Sequence, residues 1–397
     1  MITRLEFIKV CSLFGLSLPL QTVMKSCNDG MESPITRGDF NGSVLIIGAG
    51  AAGMATGYLL QQLGIDYQIV EADTSYGGRF RTNTTFTDFP IPLGAEWLHV
   101  SESVFTEIVN DSSVQIPKIT QGYRATDTYG VFRNEALNVV ELGSDSGSFI
   151  DQKFIRSSWF DFFDEFIVPS IKERIQLNTQ IASIDYSGDT ILASDVNGNS
   201  YQADKLVLTV PLKLLQLGQI DISPPLPNNK QRAIADATIW SGMKVFLKFS
   251  EKFYPTFLEF DDSETGDGQR MYYDVAYAQN SADNILGLFA VGIQAEVYQN
   301  FSGEALKTYI LNELDEVFDG KASETFQDIL IQNWNEQPFA RGAYLTDTAS
   351  TSISRIMSES INDKFYFAGT SYTQENDWSS VHTAAQSARD AVQELIR

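Results

Sequence analysis

The clearest pattern of apolar and polar positions begins just after Ser43. The run VLII at 44–47 has the length of a buried parallel strand. Gly48, Gly50 and Gly53 follow at once. Met54, Tyr58, Leu59 and Leu63 then recur at helical spacing, and Gly64 closes the helix. A second apolar run at 67–70 ends at Glu71, so the stretch predicts a βαβ unit. Farther on, residues 175–211 alternate between apolar and polar, with Gly and Asn-Gly turns, and predict a series of strands ending at Pro211. SSWFDFFDEFIV at 157–168 predicts a helix rich in Phe and acid. In Gly303–Phe318, Leu306, Tyr309, Ile310, Leu314 and Phe318 share one side of an amphipathic helix. PPLP at 224–227 breaks the chain before the next helix. The C-terminal region predicts a strand at 364–368, then Gly369 and Thr370, a loop, and a helix starting near Val381.

Length and charge narrow the class. At about 100–200 residues per domain, 397 residues suggest two domains with real cores. Hydrophobic content of 43% and charged content of 20% are ordinary for a globular chain. Lys plus Arg is 28 and Asp plus Glu is 51, giving a net charge of −23. Such a surface repels nucleic acid and anionic membranes and favours cationic partners, although it also serves solubility alone.

The first 38 residues read as a leader. Residues 3–9 carry positive charge, and the apolar stretch at 10–20 is too short to span a bilayer as a helix. The opening resembles a bacterial twin-arginine leader with Leu5 in place of the second arginine. Cys27 is a candidate for a lipid anchor, although Met24, Lys25 and Ser26 depart from a lipobox. Export to the periplasm or to a lipid-anchored position is therefore expected, with a cytoplasmic protein and a plain N-terminal extension as the alternatives. Cys11 and Cys27 both lie in this segment, so the body has no disulfide, thiolate metal site or cysteine nucleophile. No metal site and no membrane span are expected elsewhere.

The glycine fingerprint carries the first chemistry. Gly48 allows a tight turn, Gly50 lets a pyrophosphate approach the backbone, and Gly53 lets the helix pack on the sheet. The helix N-terminus, with Ala52 in its first turn, presents unpaired N–H groups to phosphates. Glu71 stands where a carboxylate binds ribose hydroxyls, which argues against a 2′-phosphate and leaves NAD and FAD open. In YGGRFRT, Gly77 and Gly78 beside Arg79 and Arg81 suit a backbone close to a pyrophosphate with guanidinium help. IPLGAEWLHV follows, with Gly94, Ala95, Glu96, Trp97 and His99.

Taken together, the body from about residue 39 onward resembles the flavin-dependent amine oxidases, which include monoamine oxidases, polyamine oxidases and flavin histone demethylases. The resemblance rests on four motifs in that family's order: the fingerprint with Glu71, GGR, LGAEW, and FAGT followed by VHTAA. It implies non-covalent FAD: Ala343 stands where monoamine oxidases carry the tethering cysteine. It also implies cofactor contacts from the residues just named and from Ile181, Gly369, Thr370 and Val381. The helix beginning near His382 would aim its positive end at the flavin pyrimidine, where reduction places negative charge.

The resemblance assigns catalytic candidates too. Lys244 in WSGMKVFLKF matches the lysine that contacts flavin N5 through water. By alternation alone it shares a strand face with Phe246 and Lys248 and reads as a solvated residue. Tyr344 falls where the family places one wall of an aromatic sandwich, the bland reading being a core tyrosine on a strand. His99 is a candidate for a hydrogen bond near the substrate amine, and His382 for packing or a helix-start bond. The second sandwich tyrosine would fall at Ser380, so it is missing, and Trp378 is the candidate replacement.

The implied fold is α/β: a Rossmann-like FAD-binding domain (39–100, 171–211 and 336–397) interleaved with an α+β substrate domain (101–170 and 212–335), after the 1–38 leader. The implied function is oxidation of a primary or secondary amine, polyamines favoured, to an imine and aldehyde, with O2 reduced to H2O2. The alternatives are an FAD-dependent desaturase or isomerase of an apolar substrate, an L-amino acid oxidase, and a non-catalytic flavoprotein. The amino-acid-oxidising branch places an arginine just after LGA, where this chain has Glu96 and Trp97.

Overall fold

A computed structural model describes residues 34–143, 151–346 and 351–397. Residues 1–33, with most of the expected leader and both Cys11 and Cys27, lie outside the described residues. The βαβ unit forms as the apolar pattern predicts: strand Ser43–Ile47, helix Ala51–Leu63, strand Asp66–Val70. Gly64 ends the helix in the left-handed region, where its N–H reaches back to the last turn.

A five-stranded parallel sheet gathers strands from distant parts of the chain. Its order is Ile175–Gln176, Asp66–Val70, Ser43–Ile47, Lys205–Leu208, Phe365–Phe367. Both faces are covered, as a parallel sheet requires. Val44, Ile46, Ile69, Val207 and Tyr366 bury one face with the helices Ala51–Leu63 and Val381–Leu395. Leu45, Ile47, Val70, Leu206, Leu208 and Phe365 bury the other. That second face meets a four-stranded sheet, Ser200–Ala203, Ile191–Asp195, Ile181–Asp185, Asp221–Ser223. The alternating stretch at 175–211 is thus divided. Its first and last strands enter the parallel sheet, and the three between them enter the four-stranded sheet.

A large mixed sheet holds Phe326–Asn333, Gly242–Phe249, Asn284–Gly292, Gly268–Asp274, Phe257–Phe260, Thr128–Arg133 and Ala136–Glu141, in that order. The amphipathic helix Gly303–Phe318 packs Leu306, Ile310 and Leu314 on one face, against Val245, Leu247 and Phe249. The Phe-rich segment forms a helix at Trp159–Phe166, capped by Ser158, whose hydroxyl accepts from Asp161 N. Among the described residues no helix is long and apolar enough to cross a membrane.

One buried acid of the large sheet has a measurable consequence. Glu259 is 8% exposed and accepts a hydrogen bond from Tyr129. Burial pushes its carboxyl up to about 7, with the Tyr129 bond opposing and Glu264 adding. Between the ordinary value of 4.5 and about 7, the folded carboxyl keeps a proton that the unfolded chain has released. Stability therefore falls as pH rises through that window. Glu259→Gln should remove this loss and gain about 3 kcal/mol above pH 7.5, with little gain at pH 4. Denaturant unfolding at several pH values checks it; parallel stability curves for the two proteins would mean that folding does not shift this carboxyl's ionisation.

Candidate active site

One cavity is lined by residues from each motif singled out in the sequence. Gly48, Gly50, Ala52, Glu71, Gly78, Arg79 and Ile181 lie on its wall. So do Gly94, Ala95, Glu96, Trp97, His99, Lys244 and Tyr344, with Gly369, Thr370, Ser380 and Val381.

The fingerprint part of the wall fits a dinucleotide. A Cβ on Gly50 would meet no atom within 4 Å, so the space in front of the backbone is open. Gly50 also begins the helix Ala51–Leu63 with no side-chain cap, which leaves first-turn N–H groups free for phosphates. The helix Val381–Leu395 likewise starts without a side-chain cap, and Val381 and Ala384 line the same cavity. Two positive helix ends therefore serve one site. The Glu71 carboxylate takes N–H bonds from Ala49 (2.6 Å) and Asp73 (2.9 Å), and burial pushes its ionisation upward against them.

Gly53 is the fingerprint residue that does not line the cavity. A Cβ there would lie 1.9 Å from the Gly48 carbonyl oxygen, so its place is helix-to-strand packing and not cofactor contact. Arg79 lines the cavity and also ties separate segments together. Its guanidinium donates to the Ala343 carbonyl and lies 3.5 Å from Thr370 Oγ1, tying GGR, the 343–344 segment and FAGT to one cation. Arg81 instead pairs with Asp73 at 2.8 Å.

Lys244 is not solvated. It is 3% exposed, in the strand Gly242–Phe249, hydrogen-bonded into strands on both sides. The alternation holds, but the Lys244 face is roofed by the LGAEW loop. Lys244 Nζ lies 2.7 Å from Glu96 Oε2 and 3.4 Å from the Pro92 carbonyl. The rings of Trp97, Tyr273 and Phe246 surround it at 5.3, 5.5 and 5.8 Å. Only Lys248, toward the strand end, reaches partial exposure, paired with Asp283 at 2.8 Å.

Glu96 is a counter-ion as well as a wall residue. Its second oxygen lies 3.2 Å from Lys153 Nζ, and Tyr273 donates to the Lys244-facing oxygen. Burial works against this carboxylate, yet Lys244 and Lys153 outweigh it and hold its ionisation below the usual range. Lys153 had no sequence signal. It reaches Glu96 because the short strands Trp97–Leu98 and Gln152–Phe154 pair with Trp97 opposite Lys153.

Tyr344 is half-buried on the wall, its ring 6.2 Å from that of Trp240. Ala343 beside it offers no thiol to a cofactor. The second wall is not Trp378, which is absent from the lining and packs in the core with Nε1 3.3 Å from Ser354 Oγ. Phe289, Trp334 and Phe339 supply further aromatic lining. His99 Nδ1 meets Asp151 Oδ1 at 2.8 Å. His382 lies 3.6 Å from Asp377, and burial pushes its imidazole down to about 4, so it is neutral near pH 7.

A family model described as flavin containing amine oxidoreductase matches residues 160–396, and one described as an NAD(P)-binding Rossmann-like domain matches 46–111. The chain belongs to the flavin-containing amine oxidoreductases. Lysine-specific histone demethylase 2 of Homo sapiens is 23% identical over 414 residues, covering 83% of this chain and 50% of that protein. Polyamine oxidase 1 of Zea mays is 27% identical over 232 residues, covering 57% and 46%. Polyamine oxidase 4 of Oryza sativa subsp. japonica is 22% identical over 436 residues, covering 89% and 88%. The chain spans about half the length of the human and maize relatives. A solved putrescine oxidase with bound putrescine has the same fold, with a TM-score of 0.72 at 14% identity over 91% of this chain and 100% of that one. As in this amine oxidoreductase family, the cofactor is FAD.

Proposed function

We propose that this flavoprotein oxidises a primary or secondary amine, with di- and polyamines the favoured substrates. The observation that carries the reading is the placement of Lys244, in its aromatic surround, on the same cavity as the FAD fingerprint. The polyamine and putrescine oxidases among the similar proteins support the substrate class, as does the net charge of −23 toward cationic ligands.

FAD held by the cavity-lining fingerprint glycines and the FAGT segment would supply a two-electron acceptor for the carbon beside nitrogen, with O2 as the oxidant that regenerates it and H2O2 as the product. The chain's own residues prepare the amine. Trp97, Phe289, Trp334 and Tyr344 give the cavity an aromatic wall. Desolvation there lowers an ammonium's pKa, and the nearby Lys244 charge lowers it further, so the neutral, reactive amine is favoured. Lys244 holds a fixed donor and positive charge toward the cavity. The imine product hydrolyses in water to an aldehyde plus an amine or ammonia.

The test is anaerobic mixing of the FAD-loaded protein with putrescine, spermidine, tyramine and L-amino acids. The flavin band near about 450 nm should bleach with an amine, and air should then yield peroxide. Bleaching by L-amino acids alone, or by none of these, would overturn the reading; Ser380, where a second wall tyrosine is missing, would then direct attention to an apolar substrate.

A further inference from the structure

We infer that Glu96 is a positioning residue that keeps Lys244 charged and fixed on the cavity wall, with Lys153 as the second cation of a buried triad. The inference rests on the amine oxidase reading and extends it to residues that reading does not use.

The geometry is unusual for an ion pair. The side chains of Glu96, Lys244 and Lys153 are 1%, 3% and 3% exposed. One carboxylate therefore serves two ammonium groups, at 2.7 and 3.2 Å, and the triad carries a formal charge of +1. An isolated buried ammonium is driven toward the neutral amine, so Lys244 needs an acid at contact distance to remain charged in this place. The two lysines are not equivalent without that acid. Lys153 also donates to the Asp274 and Val275 carbonyls, and it is not on the cavity wall. Lys244 faces the cavity, and its Nζ lies 3.4 Å from the Pro92 carbonyl. Removal of the Glu96 charge should thus neutralise Lys244 first and leave the remaining charge on Lys153, farther from the site.

A charge beside a flavin is read by its reduction potential, which needs no substrate. Positive charge favours the electron-rich reduced form. Dye-coupled reductive titration of the FAD-loaded protein should place Glu96→Gln below wild type at pH 8. A tenfold change in the reduction equilibrium, about 30 mV for two electrons, is expected. As pH falls and Lys244 regains its proton, the gap should close and then reverse, because the variant lacks the negative charge of Glu96. In a Lys244→Met background, Glu96→Gln should no longer lower the potential, because the effect runs through Lys244. If the glutamine variant does not fold, Glu96→Asp takes its place. One methylene shorter, it holds both lysines less well and should shift the potential the same way by less.

A potential equal to or above wild type across the pH range would overturn the inference, since Lys244 would then hold its charge alone. Because the titration uses no amine, this failure is separate from a failure of any amine to bleach the wild-type flavin.

Discussion

Replacing Lys244 with methionine should slow flavin reduction by the best amine roughly 10²–10³-fold while FAD stays bound. That range is the usual loss when one preorganised donor is removed from a water-excluded site. The fold should tolerate the change for a specific reason. Methionine keeps the length and the apolar stem, so Trp97, Phe246 and Tyr273 keep a packing partner. Glu96 loses one cation but keeps Lys153 at 3.2 Å and the Tyr273 hydroxyl. No charge is therefore left buried alone, the case that typically costs about 3–5 kcal/mol. Stopped-flow absorbance under anaerobic conditions measures the rate, and the 450 nm band (roughly where oxidised flavin absorbs) reports retention of FAD. Rates within threefold of wild type would remove Lys244 from the reaction and leave it a role in the ion triad alone.

Lys244 also marks where sequence reasoning stops. The alternation of Gly242–Phe249 gives its two faces correctly, with Val245, Leu247 and Phe249 on the helix-covered side. Alternation cannot say that the other face is roofed, because the roof comes from the loop around Glu96, well over a hundred residues earlier in the chain. The family resemblance brought Lys244, Glu96 and Tyr344 to notice, and folding brought them to one cavity. Lys153 was beyond both. A lysine on a short strand has no local signature, and its partner is set by a two-residue pairing across more than fifty positions. The βαβ unit was legible for the opposite reason. Its strand, glycines, helix and acid are contiguous, and each is dictated by local geometry. Arg79 lies between these cases. GGR announces a backbone near a ligand, but the bond from its guanidinium to the Ala343 carbonyl spans most of the chain and leaves no local trace.

Gly53→Ala should weaken FAD binding by about 5- to 150-fold. The added Cβ would lie 1.9 Å from the Gly48 carbonyl oxygen and 3.0 Å from Thr209 Oγ1. A side-chain hydroxyl can rotate away; a carbonyl oxygen of the turn cannot. Thr209 Oγ1 moreover donates to the Ile47 carbonyl at 2.9 Å, which pins it to the same strand end. Relief therefore requires the helix to back away from the sheet, or the turn at Gly48 to open. Either movement displaces the uncapped N–H groups at the start of the helix, the groups suited to hold FAD phosphates. Crowding by one methyl in a packed interior costs roughly 1–3 kcal/mol. If that cost falls wholly on the FAD-bound form, affinity drops by about 5- to 150-fold. The adjacent control is Ala52→Gly, which removes a methyl at the cavity wall without crowding the turn and should keep the flavin. Isothermal titration of apoprotein with FAD compares the two. Equal affinities for Gly53→Ala and wild type would mean that the helix already stands off the strand, and the close approach at Gly48 would not be what sets the phosphate site.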